Sequence, residues 1–164
     1  MKKLFAALLI AVLALSATAL AATYTHDDLT FEYEDTFFRI TMEDHTDDED
    51  LVILTDKNEG SVRIHLRELE DGEAFPTAEE IARSLNVEVE KLDTWANFKN
   101  VLSYQVKTGD IVETVFIAPV YDEVKIDEIL TVNIIGKPIE DEDAAMESSD
   151  CTSEVVDTLK VIDD

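Results

Sequence analysis

Leu51-Val52-Ile53-Leu54-Thr55-Asp56-Lys57-Asn58-Glu59-Gly60-Ser61-Val62-Arg63-Ile64-His65-Leu66-Arg67 decides the reading of the fold. Its first four residues are all apolar, a run of strand length. Asp56 to Gly60 is turn chemistry. Past the turn, Val62, Ile64 and Leu66 alternate with Arg63, His65 and Arg67, the period of a half-buried strand. Two strands joined this way form a hairpin, so the sheet is antiparallel here. Leu51-Val52-Ile53-Leu54, Val115-Phe116-Ile117 and Ile134-Ile135 are apolar on successive residues. A sheet with one wet face would alternate instead, so both faces of its centre are expected to be covered.

Working outward, Leu29, Phe31 and Tyr33 alternate with polar residues, and Phe38, Ile40 and Met42 do so again after an Asp35-Thr36 turn. Thr77-Ala78-Glu79-Glu80 is a capping box, and Ala78, Ile81, Ala82 and Leu85 follow at helical spacing, which predicts a helix from Ala78 to Asn86. Val89, Leu92, Trp95 and Phe98 recur every three residues, which reads as more helix or as a loop packed on the core. Leu102, Tyr104 and Val106 are followed by Thr108-Gly109-Asp110 and then by Val112, Thr114 and Phe116. Gly-Asp between two alternating runs predicts a tight hairpin. Pro119 to Asp127 reads as a connection, and Leu130, Val132 and Ile134 as the next strand. A last helix begins near the acidic run Glu140–Asp143 and reaches Thr158, with Val161-Ile162 as a short closing strand. Cys151, Val155, Leu159 and Ile162 are spaced as one apolar stripe, so the single cysteine is expected to be a buried hydrophobe; the alternative is a thiol that bridges chains. Hairpins between helices predict an α+β domain: a largely antiparallel central sheet flanked by helices, an α/β/α sandwich.

The order of elements resembles the PsbP-like fold of photosystem II extrinsic proteins and many small exported bacterial proteins. Leu29-Thr30-Phe31-Glu32-Tyr33 with Phe38-Arg39-Ile40 is similar to that family's opening hairpin. Asn97-Phe98 leads into the Gly109-Asp110 hairpin, and Val155-Val156-Asp157-Thr158-Leu159-Lys160-Val161-Ile162 is similar to its final helix and short strand. Asp35-Thr36-Phe37-Phe38 stands where bacterial members often carry Pro-x-x-Trp. The resemblance implies a non-enzymatic binding or accessory role and supplies no catalytic residues.

Residues 1–21 read as a secretory signal peptide. Lys2 and Lys3 precede the apolar run Leu4–Leu15, which is too short to span a bilayer, and Ala19-Leu20-Ala21 supplies small residues for cleavage. Residues 22–164 are then a single acidic domain, secreted or periplasmic, with no stable membrane insertion after cleavage. The 164-residue chain holds 38 acidic and 13 basic residues, a formal charge of −25. Loss of Lys2 and Lys3 makes it more negative still. Such a field repels nucleic-acid backbones and anionic membranes and favours a cationic ligand or partner.

No nucleophile elbow, His-Glu-x-x-His, Cys-x-x-Cys or phosphate-cradling glycine loop occurs, so no catalytic residue is assigned. Asp44, Asp47, Asp48 and Asp50 crowd one loop, a candidate set of hard oxygens for calcium, against the alternative of a solvated acidic turn. Asp56 to Gly60 fails the EF-hand spacing, with Gly60 one place early and Arg67 where the bidentate Glu belongs. Arg63, His65 and Arg67 stand on one face of one strand. They are candidates for holding a carboxylate ligand or partner, or for pairing with the protein's own acids. Trp95, Phe98, Tyr104 and Tyr121 are candidates for stacking on a ligand or for core. The chain is expected to be an exported, non-catalytic binding or accessory protein without a cofactor. Its partner is an unidentified protein or small ligand. The alternatives are a low-affinity calcium binder and, less favoured, a hydrolase with carboxylate acid and base groups.

Overall fold

The computed structural model describes residues 21–26, 28–122 and 125–162. The signal peptide read at the start of the chain lies, but for Ala21, outside them. In chain order the elements are β1 (Ala22–His26), β2 (Leu29–Tyr33), β3 (Phe38–His45), β4 (Glu49–Asp56), β5 (Ser61–Glu68) and α1 (Ala78–Leu85). After these come β6 (Val89–Trp95), β7 (Phe98–Thr108), β8 (Ile111–Asp122), β9 (Lys125–Gly136), α2 (Glu142–Thr158) and β10 (Lys160–Val161). Seven strands form one sheet in the order β3-β4-β5-β9-β8-β7-β6, and three form another in the order β1-β2-β10. Every pairing is antiparallel. No helix among the described residues is long and apolar enough to cross a membrane.

The α/β/α sandwich expected from the sequence is not what the chain forms. The domain is mostly β, with two helices against ten strands among the described residues. Three stretches account for the difference. Ala22–His26, for which no element was expected, is a strand of the small sheet. The segment read as helix or loop after Val87 is β6, hydrogen-bonded along β7. Its neighbour β7 departs from strict alternation: Asn100 has a φ of 57°, and Phe98 and Val101, three apart, are both buried. Pro119 to Asp127, read as a connection, is mostly the end of β8 and the start of β9. The expected opening hairpin is also absent. β2 pairs with β1 and β10, whereas β3 pairs with β4. The turn after Tyr33, closed by Glu34 accepting from the amides of Phe37 and Phe38, carries the chain from one sheet to the other.

The expected β4–β5 hairpin is present, with Val52 opposite Ile64 and Leu54 opposite Val62, and β9 joins it with Ile64 opposite Val132. These residues form one face of the large sheet and are buried. The small sheet and α2 cover that face through Tyr24, Leu29, Phe31, Cys151, Val155 and Leu159. Among the described residues, the opposite face is covered only at its β6–β8 end. There α1, with Phe75 and Val87, packs on Leu102, Tyr104 and Ile117. Over β4 and β5 it stays half-exposed, with Leu51 beside His65 and Ile53 beside Arg63. The apolar residues that looked two-sided are therefore sheltered there by neighbouring side-chain stems rather than by a helix.

The expected helix ends are present. Thr77 Oγ1 accepts from the Glu80 amide, and Glu80 returns a carboxylate to the Thr77 amide. Asp141 caps α2 by accepting from the Ala144 amide. Gly109 turns the β7–β8 hairpin with a φ of 64°. Asn97, in the β6–β7 turn, donates to the carbonyls of Asp157 and Leu159 at 3.1 and 3.0 Å and ties that hairpin to the end of α2.

Two predictions follow from the core. Leu54→Ala should lower stability by about 2–5 kcal/mol, while Met42→Ala, at a half-exposed edge position, should change it by less than about 0.5 kcal/mol. Equal midpoints of the two variants in urea would contradict this packing. Cys151 is buried against β2, its thiol donating to Glu34 at 3.6 Å, and burial with the nearby carboxylates pushes its pKa up to about 11. A thiol reagent at pH 8 should therefore label it only after denaturant is added; rapid labelling of the folded chain would show an exposed thiol instead.

Candidate metal centre

The alternation that builds the core also places polar side chains at its end. His45 closes β3, Asp50 is the second residue of β4, and the two face each other directly in the register. Asp50 lies in the same row across the sheet as Leu66 and Leu130, on the covered face, so its carboxylate turns inward. It is one of two buried polar residues among those described, with its side chain 6% exposed. A carboxylate so placed needs a partner. His45 Nδ1 meets Asp50 Oδ1 at 2.5 Å. Tyr24 Oη lies 3.1 Å from the other ring nitrogen, Nε2.

The small sheet brings in a third group. His26 ends β1, and its ring stacks on that of His45 at 3.7 Å between centroids and 13° between planes. Its Nδ1 is 3.9 Å from Asp50 Oδ1. One ligand atom from each of His26, His45 and Asp50 lies within 4.8 Å of the others. Two ligand atoms on one zinc ion, each about 2 Å from it, lie within about 4 Å of each other. Binding would draw in His26, the most exposed of the three at 41%, and would part the His45 and Asp50 atoms, now 2.5 Å apart, to the roughly 3.3 Å at which two ligands of a tetrahedral zinc stand. The Tyr24 contact to Nε2 leaves Nδ1 as the inward nitrogen of His45, and a hydrogen bond on the far ring nitrogen is what orients a metal-bound imidazole. Two imidazoles and a carboxylate suit zinc and other first-row divalent ions. Calcium instead takes six to eight oxygens.

The acidic loop is divided by the fold. Thr46 ties the β3–β4 turn, its hydroxyl accepting from the amides of Asp48 and Glu49. Asp47, Asp48 and Asp50 come together on a pocket of about 240 Å³ with Asp28, Glu49, Glu68 and Glu128. Asp44 is not among them; it alternates with His45 along β3 and is exposed. Asp50 belongs both to the pocket and to the histidine cluster, so the acidic pocket adjoins the cluster through that carboxylate. The histidines escaped the sequence reading because His26 and His45 are 19 residues apart on different sheets. The one legible signal was Asp50 itself, an acid at a core-facing position of a strand.

Arg63, His65 and Arg67 lie on the opposite face of the sheet and take no part in this cluster. Arg67 clasps Glu73 with both guanidinium nitrogens, at 2.9 and 2.6 Å, and His65 Nε2 meets Glu49 at 3.1 Å. Arg63 is exposed. Of the four aromatic candidates, Phe98 is buried and Trp95 stacks on Phe116 at 4.0 Å. Tyr104 packs against α1, and Tyr121 is exposed.

The Arg67 clasp, with the Glu70 amide, holds the Glu73 carboxyl down at about 2, against 4.5 for a free side chain. A carboxyl lowered by folding stabilises the folded chain above its unfolded pKa, and that contribution is lost as pH falls towards 2. A carbon-detected NMR titration should find Glu73 titrating near 2, and Arg67→Gln should return it towards 4.5. A Glu73 midpoint unchanged in that variant would show that the clasp is not its cause. No family model matches this chain and no curated protein is significantly similar to it, so the His26–His45–Asp50 geometry stands on its own chemistry.

Proposed function

We propose that this chain is an exported, non-catalytic metal-binding protein that holds one first-row divalent ion at His26, His45 and Asp50. The observation that carries the reading is the convergence of two imidazoles on a buried carboxylate, within 4.8 Å, from two separate sheets. An acidic mouth beside the cluster and a formal charge of −25 favour the approach of cations. Export rests on the leader-like residues at the start of the chain. The donor set differs from the oxygen-only calcium site that was the alternative reading of Asp44, Asp47, Asp48 and Asp50: Asp50 acts as a ligand, and Asp47 and Asp48 attract the ion. Because His26 belongs to the small sheet and His45 and Asp50 to the large one, the ion would also join the two sheets and stabilise the folded chain by mass action.

Equilibrium dialysis of the purified chain against zinc, with calcium in parallel at matched ionic strength, tests this. One zinc per chain is expected, with little competition from calcium. His26→Ala and Asp50→Asn should each weaken zinc binding about tenfold or more, the scale on which even outer-shell changes act. The Asp47→Asn/Asp48→Asn variant should keep the stoichiometry. Zinc binding that survives both His26→Ala and Asp50→Asn, or calcium binding that exceeds zinc, would overturn the assignment.

A further inference from the structure

We propose a second site, independent of the metal centre: a groove between β7, β8 and β10 that takes a small carboxylate with an apolar or aromatic body. The groove exists because two strands part. The β7–β8 ladder runs from Thr108 opposite Ile111 to Leu102 opposite Ile117 and stops there. Continued by two residues, the register would set Asn100 opposite Pro119. Proline has no amide hydrogen to donate, and Asn100 has a left-handed φ of 57°. Beyond this point the start of β7 pairs with β6, and the end of β8 pairs with β9. Among the described residues one side-chain hydrogen bond spans the gap, Asn100 Nδ2 donating to Tyr121 Oη at 3.3 Å.

The space that opens is about 460 Å³, within the range of small-molecule sites. Phe98, Val120 and Val161 supply apolar surface, and Tyr121, 41% exposed, offers a ring. Lys99 and Lys160 are brought to the same groove. Asn97 donates to the Leu159 carbonyl, which sets Lys160 beside the β6–β7 turn, and Lys99 follows two residues after Asn97. Among the described residues no acidic one lines the groove, in a chain where 38 of 164 residues are acidic. Neither lysine makes an ion pair among the described residues, nor do Lys107 and Lys137, whereas Lys57, Lys91 and Lys125 do. Two ammonium groups beside an apolar floor, with an Asn amide and a Tyr hydroxyl at the rim, recognise a carboxylate head on an apolar body. The negative charge elsewhere on the protein is screened beyond about 8 Å at 0.15 M salt, so the local cations decide the sign of the ligand.

The test is a titration of the purified, isotope-labelled chain with naphthalene-2-carboxylate in 0.15 M NaCl, followed by amide NMR, with naphthalene-2-carboxamide as the neutral control. Saturable shifts are expected at residues 97–100, 119–121 and 160–161, with the carboxamide binding about tenfold or more weakly. The Lys99→Gln/Lys160→Gln variant, altered only at exposed positions, should keep the spectrum of the folded chain and lose the preference for the acid. Asp50→Asn should leave carboxylate binding unchanged, which separates this site from the metal centre. Absence of saturation, equal affinity for acid and amide, or a preference that persists in the double-lysine variant would overturn the proposal.

Discussion

The two-residue period of β4, β5 and β9 is the constraint on which the rest of this protein depends. Their shared register puts Val52, Leu54, Val62, Ile64, Leu66, Leu130 and Val132 on one face, all buried. A slip of one residue would exchange that set for Leu51, Ile53, Arg63, His65 and Arg67 and bury two guanidinium groups. With no disulfide within the chain, no other constraint of comparable strength is available. The small sheet and α2 have one apolar surface to cover, and they cover it.

The same period determines where chemistry can occur. Asp50 is in phase with Val52 and Leu54, so it shares their inward direction at the point where the covered face runs out. There it meets His45 from the neighbouring strand and His26 from the covering sheet. Arg63, His65 and Arg67 are out of phase with the core and can only face outward, where Glu49 and Glu73 meet two of them. The histidine–aspartate cluster and the cationic stripe therefore lie on opposite faces of the large sheet. The lysine groove has a different origin: it lies where a proline and a left-handed asparagine end the ladder between two long strands.

Much of the architecture was legible. The β4–β5 and β7–β8 hairpins, the capping box of α1 and the last helix rest on interactions between residues close in sequence, and the spacing of Cys151 with Val155 and Leu159 marked the stripe that packs on β2. The errors arose where local pattern and tertiary role diverge. Spacing of three around Val89–Phe98 resembles a helix, but it comes from a strand next to one whose alternation is interrupted at Asn100. Pro119 signals a break, and the break is in one ladder, not in the strand. Leu29–Tyr33 and Phe38–Ile40 each have strand period, but period carries no information about which sheet a strand joins.

Sequence alone determined the acidic charge, the antiparallel hairpins and the inward phase of the core strands, because each follows from composition or from neighbours within a few residues. Only the tertiary structure decided that a second sheet lies over the first and that its edge delivers His26 to His45 and Asp50. Only there does the acidic loop divide, with Asp50 turning towards the histidines and Asp44 away. The physical reason is distance along the chain. Side-chain period sets a direction for each residue, but which distant residues share that direction at one point is settled only when two sheets pack face to face.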